Sequence, residues 1–242
     1  MSSFRLAGTT EHTRIRVEQG VTSDVGDAPM SARPFRGWIY DRLVAGMTSD
    51  WYRAVLDRLP DGARVLDVGI GTGAALARCA DLVRAKRLQI LGLDIDPDYL
   101  HRCRTELLRA GLAAQVRAVF SSVYDHDGGP YDAVYFSASL MLLPDPSAAI
   151  SHVARLLTPE GRLFATQTFQ HRRSPLLERG KPMVRHLTTI HFGRVTYEED
   201  FRGAFRDAGV ELVELCTLGG TRHYSYRLAV ARLNDDEERT AA

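Results

Sequence analysis

Large apolar residues recur with helical spacing from Trp38 to Leu59: Trp38, Ile39, Leu43, Val44, Met47, Trp51, Tyr52, Val55, Leu56 and Leu59. A stripe of that period predicts an amphipathic helix, and Pro60-Asp61-Gly62 stops it. Beyond this point short apolar runs alternate with helical stretches. Val65 to Val68, Leu88 to Asp94, Val116 to Phe120 and Gly161 to Thr168 read as strands. The helix after the second run is signalled by Asp96 as N-cap, Pro97 at the first helical position, an inner face of Leu100, Cys103 and Leu107, and a stop at Gly111. Asp145 and Pro146 open another, with Ile150, Val153 and Leu157 inward. Thr196-Tyr197-Glu198-Glu199 has capping-box spacing ahead of Phe201, Phe205 and Ala208. The chain then gives Val210 to Leu218, a Gly219-Gly220 turn region, and Tyr224 to Leu233. Strands alternating with helices predict an α/β fold, a mostly parallel sheet with helices on both faces.

Three stretches break this rhythm. Residues 1–31 are polar and without a clear period, and residues 234–242 read as a solvated tail. Residues 169–195, rich in Arg, His and Pro, are too long for an ordinary connection. Loops at the carboxyl ends of such strands surround the ligand crevice, so this insertion is a candidate lid; the alternative is a surface decoration or dimer contact. The expected organisation is therefore a segment 1–31, one domain over 32–233 carrying the insertion, and the tail.

Composition narrows the classes. The 242 residues are 45% hydrophobic, enough for one sizeable core. Lys and Arg number 31 against 30 acids, a net charge of +1, and no basic cluster interleaved with aromatics suggests a nucleic-acid partner. Cys79, Cys103 and Cys216 are odd in number and far apart, fitting neither a disulfide framework nor C-x-x-C metal spacing. With no long apolar run and no apolar leader, the expectation is a cytoplasmic protein without a membrane or metal role. A homo-oligomer stays open.

The chemistry concentrates in Val65-Leu66-Asp67-Val68-Gly69-Ile70-Gly71-Thr72-Gly73. A strand turning into a helix through glycines lets backbone N–H groups approach a ligand closely. Dinucleotide sites use G-x-G-x-x-G, whereas here the spacing is G-x-G-x-G with Asp67 two residues ahead of the first glycine. That acid would repel a pyrophosphate and suits a ligand with an ammonium group. The loop resembles the cofactor loop of class I S-adenosylmethionine-dependent methyltransferases. Asp94 at the end of the second run, Pro130-Tyr131-Asp132-Ala133-Val134-Tyr135-Phe136, and Leu156-Leu157-Thr158-Pro159-Glu160-Gly161 resemble that family's later landmarks, in order, over roughly residues 35 to 232.

The resemblance implies a Rossmann-like seven-stranded sheet with an antiparallel last strand, and S-adenosyl-L-methionine as cofactor with S-adenosyl-L-homocysteine as product. It implies that Gly69, Gly71 and Gly73 close over the amino-acid part while Asp67 orients the ammonium, that Asp94 binds the ribose hydroxyls, and that Ile95 packs on the adenine. Ser122 stands where many relatives have an acid for the adenine amino group, with the Val123 N–H beside it; Asp125 or Asp127 are alternatives. Tyr40, in Trp38-Ile39-Tyr40-Asp41, and Ser137, closing the fourth strand, are expected at the methionine end. On the acceptor side Ser139-Leu140-Met141-Leu142-Leu143 is apolar, and Gln167, Phe169, His171, His186, His191 and His223 are the polar and aromatic candidates, with His171 the first choice of base. His152 lies within a helix pattern and reads as structural. The function implied is methyl transfer to nitrogen or oxygen of a small-molecule acceptor. The alternatives are a non-catalytic methyltransferase-like subunit or an aminopropyl transferase.

Overall fold

The computed structural model describes residues 48–170 and 196–233. Seven strands form one sheet: β1 (Arg64–Val68), β2 (Gln89–Asp94), β3 (Val116–Phe120), β4 (Tyr131–Ser137), β5 (Leu157–Gln170), β6 (Glu211–Gly220) and β7 (Tyr224–Arg232). Their spatial order is β3-β2-β1-β4-β5-β7-β6. The pairs β1–β2, β1–β4, β2–β3 and β4–β5 are parallel, and β7 runs antiparallel to both β5 and β6. The strand order reverses direction at β1, between β2 and β4, which is where an open α/β sheet leaves a crevice at its carboxyl edge.

The helices are α1 (48–56), α2 (Ala74–Ala77), α3 (Ala80–Ala85), α4 (Pro97–Arg109), α5 (Pro146–Ala154) and α6 (Glu198–Asp207). The alternation of side chains along each strand divides the core into two layers. On one face Val65, Ala133, Tyr135, Phe164, Leu228 and Val230 pack against Tyr52, Val55 and Leu56 of α1, with α3 and α4 alongside. On the other Leu66, Val134, Phe136, Leu163 and Ala165 meet Ile150 and Val153 of α5 and Phe201 and Phe205 of α6. Side chains such as Leu66, Ile150 and Phe201 have no exposed surface. Each contributes about 1.5–3 kcal/mol of burial before entropy is charged against it.

Several ends are fixed by the signals in the sequence. The Asp96 carboxylate accepts from the N–H groups of Asp98 and Tyr99 at the start of α4, and Asp145 accepts from Ala148 N–H at the start of α5. The C-terminal end of α1 is held differently. The Lys86 ammonium donates to the carbonyls of Leu56, Asp57 and Leu59 at 3.0, 2.7 and 2.6 Å, a cation meeting carbonyls left over at a helix end.

Other expectations need correction. Thr196 is not the cap of α6: the N-cap is Tyr197, with no side-chain cap bond, while Thr196 forms a parallel bridge with Phe169 and its hydroxyl accepts from Gln167 Nε2 at 3.0 Å. The pull of the sheet edge outweighs the capping signal. The fifth strand begins at Leu157 rather than Gly161, because Leu157 already pairs with Tyr131 across an irregularity in register. Gly219 and Gly220 belong to β6, and the hairpin closes beyond them with Thr221 N–H donating to Tyr224 carbonyl at 2.7 Å. The segment 1–31, the start of the first helix with Tyr40, most of the 169–195 insertion and the 234–242 tail lie outside the described residues.

Gly92 of β2 supports the glycine loop from below. A methyl added there would lie 2.3 Å from Ile70 Cδ1 and 2.9 Å from its Cβ, and Ile70 is itself buried with its N–H bonded to Leu93 carbonyl. Gly92→Ala is therefore expected to destabilise the fold by about 1–3 kcal/mol through overpacking, read as a lower midpoint in urea unfolding at unchanged m-value.

Candidate cofactor site

The site forms where β1 ends between its two parallel neighbours. Gly69, Gly71 and Gly73 all have positive φ, at 79°, 59° and 67°. Two of them are also demanded by their surroundings: a Cβ on Gly69 would stand 2.7 Å from Ser139 Cβ, and one on Gly73 2.7 Å from Cys103 Sγ. A Cβ on Gly71 would meet nothing within 4 Å among the described residues, so there this glycine answers only to its backbone conformation. The loop is anchored by Gly69 and Ile70 N–H groups donating to Leu93 carbonyl at 2.8 and 3.0 Å, and by the Ser139 hydroxyl donating to Val68 carbonyl.

Asp67 is 1% exposed, on the face of β1 shared with Tyr135 of β4. Tyr52 of α1 donates its hydroxyl to Asp67 Oδ2 at 2.7 Å, while Oδ1 is buried with no hydrogen-bond partner among the described residues. Burial pushes the carboxyl up to about 7; the Tyr52 hydrogen bond opposes this and the Asp94 charge adds to it. Burial, and next the charge of Asp67, keep the Tyr52 hydroxyl well above the ordinary phenol range, so it stays a donor. Ser137 closes β4 two residues past Tyr135, and its buried Oγ has the Tyr135 hydroxyl as its neighbour on the same face. Register puts Ser137 roughly 8 Å diagonally from Asp67, Cα to Cα, on the same face.

Asp94 ends β2. Its Oδ2 accepts from Gly71 N–H and its Oδ1 from Asp96 N–H, both at 2.9 Å. Each oxygen keeps a further lone pair, so the carboxylate can tie the loop to the strand and still accept from two hydroxyls. Next to it the Ile95 side chain is 69% exposed, an apolar surface at the mouth of the crevice. Ser122 is partly committed elsewhere: its Oγ accepts from Tyr124 N–H at 3.3 Å as N-cap of a 3₁₀ turn over Val123–Asp125, and the Val123 side chain is buried.

The structure brings Asp67, the three glycines, Asp94, Ile95 and Ser137 to one edge. Tyr40, His171, His186 and His191 lie outside the described residues. His223 sits exposed in the β6–β7 turn, and His152 Nε2 lies 2.6 Å from the carbonyl of His126, a structural contact. Sequence reasoning missed Tyr52, which it read as one more apolar position on a helix. Among the described residues no group of three or more His, Cys, Asp and Glu is placed to hold a metal, and no helix is long and apolar enough to cross a membrane.

Residues 66–163 match the methyltransferase domain family, and this segment contains the loop, Asp94 and Ser137. The observed strand order and the antiparallel β7 frame this match. Residues 66–163 are a methyltransferase domain. The domain is similar to the ubiquinone biosynthesis O-methyltransferase of Xanthomonas axonopodis pv. citri (strain 306), 37% identical over 108 residues, 43% of this chain and 43% of that protein. It is similar also to the phosphatidylethanolamine N-methyltransferase of Cereibacter sphaeroides, 26% identical over 163 residues, 66% of this chain and 78% of that one. Matches to several of the curated relatives span about half or less of their length. A methyltransferase from Thiobacillus denitrificans, solved with S-adenosyl-L-homocysteine, shares the fold at a TM-score of 0.58, 15% identity, and coverage of 78% of this chain and 91% of that one.

The methyltransferase site fits S-adenosylmethionine on its own chemistry. A buried carboxylate oxygen, unpartnered among the described residues, awaits a donor; a second carboxylate has lone pairs to spare; and an exposed Ile95 offers a surface for a ring. Burying Asp67 also has a stability consequence. Between its ordinary value of 3.8 and about 7, the folded chain retains a proton that the unfolded chain has released, so this group's contribution to stability falls as pH rises through that window. Asp67→Asn, neutral throughout, is expected to raise stability of the ligand-free protein at pH 8 by on the order of 2 kcal/mol, roughly 4–8 °C in Tm, with the gain gone near pH 4. Paired thermal melts at the two pH values measure this.

Proposed function

We propose that this protein is an S-adenosylmethionine-dependent methyltransferase acting on a nitrogen or oxygen of a small-molecule acceptor. The observation that carries the reading is Asp67 Oδ1, buried and without a partner among the described residues, beside a loop of three positive-φ glycines and on the same face as Ser137. Unsatisfied buried polar atoms are rare because each costs free energy, and a carboxylate oxygen left so at a strand-order reversal describes a place for a cationic donor. When bound, S-adenosylmethionine supplies an activated methyl on a sulfonium, so the chain's task is placement.

Asp67 and Ser137 hold the amino-acid end, Asp94 the ribose, Ile95 the adenine face, and Ser122 with the Val123 N–H its polar edge. Tyr40 is assigned to the methionine end. On the acceptor side, Leu140 to Leu143 offer an apolar wall in which Leu142 is 54% exposed. Gln167 donates through Nε2 to Thr196 while its Oε1 is buried without a partner, which leaves a carbonyl oxygen to orient an acceptor hydroxyl or amine. His171, the residue after the end of β5, is the base we assign to deprotonate it. O- and N-methyltransferases both occur among the relatives, which supports an oxygen or a nitrogen acceptor.

Calorimetric titration with S-adenosylmethionine and S-adenosylhomocysteine tests the reading. Wild type is expected to bind in the micromolar range, and Asp94→Ala to lose about 1–3 kcal/mol, roughly 5- to 150-fold, with a Tm that shows the variant folded. No binding by folded wild type would put a non-catalytic role first.

A further inference from the structure

Tyr52 is 3% exposed and spends its hydroxyl on a single acceptor, Asp67 Oδ2, at 2.7 Å. Its ring stands edge-on to Tyr135 with centroids 5.0 Å apart at 89°, so the phenol has little freedom to turn away. The helix that carries it is pinned at its far end by Lys86 and beside Tyr52 by Trp51, whose ring packs 5.4 Å from Tyr226 of β7. A rigid donor thus holds one oxygen of a buried carboxylate and leaves the other unpartnered. Building on the cofactor assignment above, we propose that Tyr52 is a positioning residue for the cofactor's ammonium, and that the Tyr52–Asp67 pair makes cofactor capture proton-coupled.

The groups facing Asp67 are Tyr52 from α1, Asp94 from β2, Tyr135 from β4 and Cys103 from α4. None is a cation, and among the described residues no Lys, Arg or His acts on its titration. The carboxyl is therefore tuned by burial against one hydrogen bond, with Asp94 adding to the burial effect. Protonated, Asp67 offers no charge to an ammonium; ionised, it offers a full one in a medium that screens it little. Affinity should fall as pH drops through about 7, the value to which burial raises this group. The Tyr52 hydrogen bond lowers that value, so deleting the hydroxyl moves the transition to higher pH.

The test uses the full chain as wild type and Tyr52→Phe, which keeps the ring and its contact with Tyr135. Binding of S-adenosylhomocysteine is measured calorimetrically from pH 5.5 to 8.5, with 5′-methylthioadenosine, which lacks the amino-acid ammonium, as the comparison ligand. Wild type is expected to bind S-adenosylhomocysteine about tenfold more tightly at pH 8.5 than one unit below the Asp67 transition. Tyr52→Phe is expected to shift that curve upward by a unit or so, and 5′-methylthioadenosine to show a flat profile in both proteins. A Tyr52→Phe curve lying on the wild-type curve, a uniform loss at every pH, or the same pH dependence for 5′-methylthioadenosine would each overturn the proposal while leaving the cofactor assignment standing. Absence of binding by wild type at every pH defeats the assignment itself, and this inference with it.

Discussion

The register of β1 between β2 and β4 is the constraint on which everything else in this molecule rests. Asp67 is paired in register with Gly92 on one side and Tyr135 on the other. Because side chains alternate with a period of two, a slip of one residue would send Asp67 to the α5–α6 face and put Leu66 beneath Tyr52. Both layers of the core would then be wrong at once. The apolar residues that flank Asp67, Leu66 and Val68, are 0% and 3% exposed, and they enforce the register that a buried acid alone would resist. Asp67 lies where it does because its neighbours leave it no other face.

Much of this was legible in the residues. The glycine spacing, the acid ahead of it and the acid ending the next strand located the crevice before any coordinate was known. Asp96 with Pro97, and Asp145 with Pro146, cap α4 and α5 as their types suggest, since short acidic side chains satisfy helix N–H groups wherever they precede one. These are local signals, and local signals survive translation into structure. Non-local ones did not. Thr196 carried a capping signature but was claimed by Phe169 and Gln167, residues nearly thirty positions away. The early start of β5 depends on a partner in β4, which its own Pro and Gly conceal. Tyr52 gave no sign of its partner: a tyrosine on an amphipathic stripe looks the same whether its hydroxyl is idle or holds a carboxylate. Ser122 was read as a stand-in for an acid, whereas its oxygen also starts a 3₁₀ turn.

The polar interior has a logic of its own. Among the described residues the buried polar side chains are Asp67, Thr166, Gln167, Thr196 and Ser225, all in or beside the strands β1, β5 and β7. Thr166 is satisfied through Tyr135 and Thr196 through Gln167. What stays unsatisfied among them is one atom each of Asp67 and Gln167, near the carboxyl ends of β1 and β5. A fold built only for stability would have filled those positions with apolar groups, at less cost than leaving oxygens without donors. Asp67 and Ser137 share one face of the sheet at the crevice, whereas Gln167 alternates to the face that carries Phe169.

Lys86 gives α1 an unusual mechanical character. One ammonium gathers three carbonyls at the amino edge of the sheet, while a phenol at the opposite edge is held by a carboxylate. The helix between these two fastenings works as a fixed-length spacer, with a rise of about 1.5 Å and a turn of about 100° per residue. Its length, more than its sequence, aligns the phenol with the acid. Inserting or deleting one residue between Tyr52 and Leu56 would turn Trp51 and Tyr52 by about 100° relative to Leu56 and Leu59, breaking the apolar stripe and swinging the hydroxyl out of reach together. Evolution could exchange many of the residues along this spacer, but it could not readily change their number.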